Sequence, residues 1–148
     1  KTEVAKAIGK IFQAMGILSE DGPFKIAYKD DFVAPFVGQT APKTRKLLES
    51  CLGGVLFVDE FYSLGSGAEA GSSADSFCRE ALDTLTGFLS VHKNDICFIG
   101  AGYEEDLNER IFKNGNRGLR RRFQWSHVIK PYSPADLAGI LDLENIKP

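Results

Sequence analysis

The chain has 148 residues and a formal net charge of −2, with 43% hydrophobic and 26% charged residues, the make-up of one ordinary globular domain rather than a disordered tail. Its apolar runs, such as Val55-Leu56-Phe57-Val58, fall far short of the roughly 20 residues that cross a bilayer, and no charged-then-apolar leader opens it. The near-neutral balance argues against a dedicated nucleic-acid binder, and the expectation is a membrane-free protein of the cytoplasm or another reducing compartment.

The chain starts at Lys1-Thr2-Glu3, without Met and with no cap, which reads as the inside of something longer. Val4, Ala7, Ile8, Ile11, Phe12 and Met15 recur at helical spacing before Gly16, predicting an opening helix. Phe24 to Tyr28 alternates after Asp21-Gly22-Pro23, a strand signal, and Phe32 to Gln39, broken by Pro35 and Gly38, reads as a loop. Thr40 is placed to cap a helix with Pro42 in its first turn and Leu47, Leu48 and Cys51 on its buried face, ending at Gly53-Gly54. Val55 to Val58 then reads as a strand covered on both faces, ending in Asp59-Glu60. Gly65 to Ser73 is a loop by composition, and Phe77, Ala81, Leu82, Leu85, Phe88 and Leu89 mark a helix ending near His92 and Asn94.

Ile96 to Ile99 is a second buried strand closed by Gly100-Ala101-Gly102. Glu104-Glu105-Asp106 supplies acidic residues to the first turn of the next helix, with Gly115 past its end. Trp125 to Ile129 is a further strand candidate of the central type, and Ser133-Pro134 opens a last helix through Leu137, Ile140 and Leu141. Strands alternating with helices predict an α/β fold, a parallel sheet with flanking helices. Cys51, Cys78 and Cys97 are odd in number, lack metal-ligand spacing and sit in apolar segments, so they read as reduced core residues. His92 and His127 share no ligand spacing and read as structural.

In open parallel sheets ligands bind at the carboxyl ends of strands, where Asp59-Glu60 stand. An apolar strand ending in Asp-Glu is the Walker B pattern: the aspartate serves Mg²⁺, and the glutamate polarises a water for attack on a γ-phosphate. The bland alternative is two solvated residues at a strand end. Lys1-Thr2 at a helix start is what remains of G-x-x-x-x-G-K-[ST] cut before its lysine; as a dipeptide it gains weight only from the helix and strand that follow. Phe36-Val37-Gly38 is either an exposed hook that grips polypeptide or a loop aromatic tucked against the core. The cluster Arg117, Arg120, Arg121 and Arg122 is an arginine finger for a neighbouring subunit, a solvated basic turn or a phosphate-backbone contact.

Four segments taken together are more specific. Phe36 to Thr44, Gly53 to Leu64, Ala101-Gly102-Tyr103 and Gly118-Leu119-Arg120-Arg121-Arg122 resemble, in order and over almost the whole chain, the AAA+ ATPases of the CbbX and stage V sporulation protein K group. The resemblance implies a P-loop NTPase sheet lacking its first strand, most of the P-loop and the helical lid. Residues 1–133 would be the large nucleotide-binding subdomain, cut within Walker A, and 134–148 the start of the lid. It implies ATP and Mg²⁺ as cofactors, self-association into a ring, usually hexameric, and hydrolysis coupled to remodelling a protein substrate. By position, Lys1 and Thr2 match the end of Walker A, with Thr2 and Asp59 on Mg²⁺ and Glu60 activating water. Phe36, Val37 and Gly38 match the pore loop, Tyr103 the sensor-1 position, and Arg120 or Arg122 the finger, Arg121 standing where the family usually has Ser. In the family's sheet order, 5-1-4-3-2, the absent first strand would leave Trp125 to Ile129 without its neighbour, and the fragment alone is expected to be inactive. Two alternatives stand beside this: a nucleic-acid motor or loader, supported only by the basic cluster, and a non-catalytic interaction module.

Overall fold

The apolar run Val55–Val58 forms the central strand (β2) and every one of its residues is buried. The computed structural model describes residues 1–65, 73–113, 117–130 and 133–145. β2 pairs in parallel on one side with Phe24–Ala27 (β1), Phe24 opposite Val55, and on the other with Cys97–Gly100 (β3), Val55 opposite Cys97. The sheet therefore runs β1-β2-β3, three parallel strands with flanking helices, as the alternating pattern predicts. Parallel neighbours need a crossover. Lys29–Phe32 (α2) and Thr40–Glu49 (α3) cross from β1 to β2, and Ser73–Val91 (α4) crosses from β2 to β3. α3 and α4 pack together, and the core joins Phe32 of α2, Leu48 of α3, Cys51 just past it, and Leu82 and Leu85 of α4 to Leu56, Val58 and Phe61.

The opening helix is present as Thr2–Ala14 (α1), with Gly16 beyond it at φ +70°. It meets the sheet through Ala5 and Gly9, and a Cβ on Gly9 would stand 2.9 Å from Val55 Cγ2. Its larger apolar residues Val4, Ile11 and Met15 stay exposed. At the amino ends of the strands, Gly53 N–H donates to the Asp95 carbonyl (2.6 Å) and Ser19 N–H to the Gly53 carbonyl (2.9 Å), which ties the three connecting loops together.

Several boundaries differ from the expectation. Phe32, placed in a loop by sequence, ends the short helix α2 and is fully buried. Gln39 rather than Thr40 occupies the cap position of α3, because the Thr40 hydroxyl is engaged by the preceding loop. The helix expected after Tyr103 starts as Glu104–Asp106 (α5) and widens into a π-helix over Leu107–Lys113. Arg117–Arg120 forms a further turn of helix (α6), and Pro134–Asn145 the last helix (α7). There the Ser133 hydroxyl accepts from Asp136 N–H (3.2 Å) while Ser133 N–H donates to the Asp136 carboxylate (2.8 Å), a reciprocal cap.

The strand expected at Trp125 to Ile129 does not form: the segment has no regular secondary structure, and Trp125 is 92% exposed. The physical reason is the absence, among the described residues, of a strand between it and β3, so nothing completes its backbone hydrogen bonds. His127, read as lying in that strand, is exposed in the same coil. The loop expected over Gly65 to Ser73, apart from its ends, and the expected helix stop at Gly115 lie outside the described residues. Among the described residues no helix is long and apolar enough to cross a membrane.

Candidate functional site

Asp59 follows directly on β2. Its N–H still donates to the Ala27 carbonyl of β1 (3.2 Å), so the ladder carries it to the carboxyl end of the sheet, half-buried. Its carboxylate accepts the N–H of Glu60 at 3.0 Å. Glu60 lies at φ 49°, ψ 41°, alone among the described non-glycine residues in having a positive φ. The strain has a local cause: the next residue, Phe61, must drop into the core at 1% exposure. It does so with its N–H on the Ala101 carbonyl (2.9 Å), opening a 3₁₀ turn over Phe61–Leu64 in which Ser63 N–H returns to the Glu60 carbonyl (2.7 Å). The Phe61 ring lies against bare Gly100 and packs on Phe98 and Phe123, with centroids 5.4 and 5.6 Å away. The turn leaves the Glu60 side chain in solvent at the strand end.

A row of rings and cations crosses the same edge. Tyr62 lies flat against Gly102, where a Cβ would come 2.8 Å from its Cδ1. Its ring is 6.1 Å from that of Tyr103, which caps α5 at the end of β3. Lys1 Nζ stands 5.0 Å from the Tyr103 ring centre, and the Arg110 guanidinium 5.8 Å from that of Tyr62, within cation–π range. Arg110 Nε also meets the Asp106 carboxylate at 3.2 Å. Burial pushes the Tyr62 phenol above its ordinary pKa, and the negative charge of Glu60 nearby adds to the rise. Lys1, Tyr103, Tyr62 and Arg110 thus form one row of ring and cation contacts along the edge where Asp59 and Glu60 stand. Thr2, half-buried, sits beside Lys1 in the first turn of α1, where helix N–H groups point toward the site.

Phe36 and Val37 are 67% and 87% exposed and Gly38 has φ +77°, so the loop tip stands clear of the core rather than tucked into it. Its base is fixed. Ala34 N–H donates to Thr40 Oγ1 (3.1 Å), Thr44 Oγ1 to the Phe32 carbonyl (3.0 Å), Lys43 Nζ to the Val33 carbonyl (2.9 Å) and Ala41 N–H to Glu80 of α4 (3.2 Å).

The two finger candidates of the basic cluster differ. Arg122 donates through Nε to Ser90 Oγ at the end of α4 (3.1 Å), and through Nη1 to the Gly118 carbonyl (3.3 Å). Arg120 is exposed and makes no ion pair among the described residues. Among the described residues no ion pair joins either of them to Asp59 or Glu60.

Among the described residues no three His, Cys, Asp or Glu side chains converge as a metal cage. All three cysteines are free thiols, and His92 pairs with Asp95 (2.9 Å) and stacks on Phe88, the structural part expected of it. A cavity of about 730 Å³ lies along the outer edge of β3, between Phe12, Ile17, Cys97, Phe98 and Trp125, away from the carboxyl ends of the strands. Tyr62 and Arg110 are the site residues that sequence reasoning does not single out. For Tyr62 a signal exists, its fixed place two residues after the strand-end glutamate; for Arg110 none does, since the loop and π-helix that bring it there leave no pattern.

Comparison with known proteins supplies the context for this geometry. The profile of the ATPase family associated with various cellular activities (AAA) matches residues 1–124. The ESX-2 secretion system protein EccA2 of Mycobacterium tuberculosis (strain H37Rv) is 39% identical over 140 residues, covering 95% of this chain and 22% of that protein. Stage V sporulation protein K of Bacillus subtilis (strain 168) is likewise 39% identical over 140 residues, covering 95% of this chain and 41% of its own length. The ESX-1 secretion system protein EccA1 of Mycobacterium leprae (strain TN) is 38% identical over 95% of this chain and 24% of that protein. The chain thus spans about a fifth to two fifths of these relatives.

Proposed function

The chain belongs to the AAA ATPase family, and on that premise we propose that it carries the nucleotide-hydrolysing centre of an ATPase that remodels a protein substrate in an oligomeric ring. The observation that carries the reading is the strand-end pair Asp59-Glu60, held at the carboxyl end of the central strand by the Asp59 N–H on the Ala27 carbonyl and the Glu60 N–H on the Asp59 carboxylate.

The donor set suits ATP with Mg²⁺. An ammonium and a helix N-terminus match phosphate oxygens, and one carboxylate with one hydroxyl is the sparse, hard-oxygen set that Mg²⁺ takes alongside waters and phosphates. Bound Mg·ATP would supply the anhydride bond to be broken and the metal that spreads its charge. Lys1 neutralises phosphate charge, Thr2 and Asp59 serve the metal, and Glu60, exposed at the strand end, orients and polarises a water. Tyr103 takes the sensor position at the end of β3.

Arg120 or Arg122 acts on the nucleotide of a neighbouring subunit; for Arg122 this means leaving Ser90. The protruding Phe36-Val37-Gly38 tip, on its braced base, grips the substrate in the ring, for which we propose six subunits. Residues 1–133 belong to the large nucleotide-binding subdomain and 134–148 open the lid, and the protein works in the cytoplasm or another reducing compartment.

The test is Glu60→Gln in the intact protein. Turnover falls by two orders of magnitude or more while ATP binding persists; unchanged turnover would establish a non-catalytic module instead. Filter binding to DNA and RNA across a salt series shows no steep dependence, and a steep one would move the reading to a nucleic-acid motor.

A further inference from the structure

Arg120 and Arg122 share one short stretch of chain, yet their surroundings suit them to different work. The stretch is pinned at both ends: Leu119 is fully buried, and Phe123 packs on Phe61, Phe98 and Phe112 with ring centroids 5.6, 5.6 and 5.7 Å away. Between these anchors Arg122 turns back onto its own chain. Its Nε (3.1 Å) and Nη2 both donate to Ser90 Oγ at the end of α4, and its Nη1 donates to the Gly118 carbonyl of α6 (3.3 Å). Ser90 is suited to receive them, because its single hydrogen goes to the Thr86 carbonyl (2.7 Å) and both lone pairs of the oxygen are left for the guanidinium. The Nε–Nη2 fork is the kind that grips phosphate with two parallel bonds, and here Ser90 occupies it. Arg120 has none of these ties. It is exposed, and among the described residues its side chain makes no ion pair and no hydrogen bond. Arg121 and Arg122 border the cavity along the outer edge of β3, together with Ser90 and Lys93, whereas among the described residues Arg120 is not one of its walls.

We propose that the arginine acting on the neighbouring subunit's nucleotide is Arg120, and that Ser90 and Arg122 are positioning residues whose contact clamps α6 to α4 and so fixes the backbone from which Arg120 projects. The inference rests on the proposed ATPase reading and deepens it. The chemistry favours this division. An arginine that reaches a phosphoryl group must present a free fork; Arg122 would first give up three hydrogen bonds, and Arg120 gives up none. Position 122 in turn requires a planar guanidinium, because a single ammonium cannot meet Ser90 Oγ with two parallel donors and the Gly118 carbonyl with a third. Arg120 therefore bears on the chemical step directly, whereas Ser90 and Arg122 bear on it only through where Arg120 is held.

Variants of the intact protein separate the roles. Arg120→Ala lowers kcat for ATP by about 100-fold or more, and Arg122→Ala lowers it by roughly 10-fold, with KM unchanged in both. Mixing shows whether the group acts across a subunit boundary: Arg120→Ala and Glu60→Gln are each inactive alone, and combined they regain turnover, because an intact Glu60 then faces an intact Arg120. Ser90→Ala reproduces the loss of Arg122→Ala, the double variant loses no more than either, and Ser90→Thr, which keeps the hydroxyl, retains near wild-type kcat. A loss of about 100-fold in Arg122→Ala with Arg120→Ala near wild type would overturn the assignment, as would no recovery on mixing. Wild-type kcat in Ser90→Ala would overturn the part given to Ser90. Glu60→Gln run alone separates the levels: if it leaves turnover intact, the ATPase reading itself fails, and if it abolishes turnover while the other arms go against expectation, only this inference fails.

Discussion

Glu60 stands where backbone and side chain want different things. A non-glycine residue in the left-handed region costs about 1–2 kcal/mol, and Glu60 bears that cost because Asp59 must remain on the ladder while Phe61 enters the core. Glu60→Gly therefore leaves the urea midpoint unchanged or raised while abolishing turnover, although glycine at an ordinary turn position would lower the midpoint. Cys51 and Cys97 report a different property. Burial raises both thiols above their ordinary pKa of 9.0, with Ser50 and Lys25 opposing at Cys51. A thiol whose folded pKa is raised favours the folded state at low pH and loses that advantage as pH climbs past the unfolded value. Alkylation of Cys51 and Cys97 at pH 8 should therefore be at least 10-fold slower than for a free cysteine, and urea should restore the ordinary rate. At this scale Asp59 and Glu60 were legible because a strand-end position is a one-dimensional fact. Tyr62 joins the same edge only because Gly102, two residues past the end of β3, lies against its ring.

Among the elements, β2 is the one on which the fold depends most. Leu56 is fully buried at its centre, and Leu56→Ala should cost about 2–5 kcal/mol, measured by urea unfolding. The loop between α2 and α3 depends on buried polar contacts instead. Thr40→Val leaves the Ala34 N–H without its acceptor, for an expected loss of about 1–3 kcal/mol, and the freed loop becomes more sensitive to protease at Phe36. Strands β1, β2 and β3 could be read from alternation and β-branched runs because their neighbours are here to cover them. Trp125 to Ile129 also carries aromatic and β-branched residues but has, among the described residues, no adjoining strand, and a strand exists only as one side of a pair. The π-helix was likewise hidden, since its apolar spacing differs too little from that of an α-helix for seven residues to betray it.

Considered whole, the molecule is well covered on one side and bare on another. The sheet's centre is closed, yet Val4, Ile11 and Met15 on α1 and Trp125 beside the outer edge of β3 stand in solvent. Apolar surface of this kind drives association. The isolated chain should therefore sediment with concentration-dependent mass, and Val4→Glu combined with Ile11→Glu should reduce that dependence without altering its circular dichroism. The order of the sheet has a further consequence, in time rather than space. Phe24 meets Val55 and Val55 meets Cys97, so each strand docks beside the one made just before it, and the sheet extends in the direction of synthesis. A growing chain can lay down β1, β2 and β3 without waiting for any later segment. The edge of β3 is the growing front of that process, so a strand that docks there would join a sheet already formed.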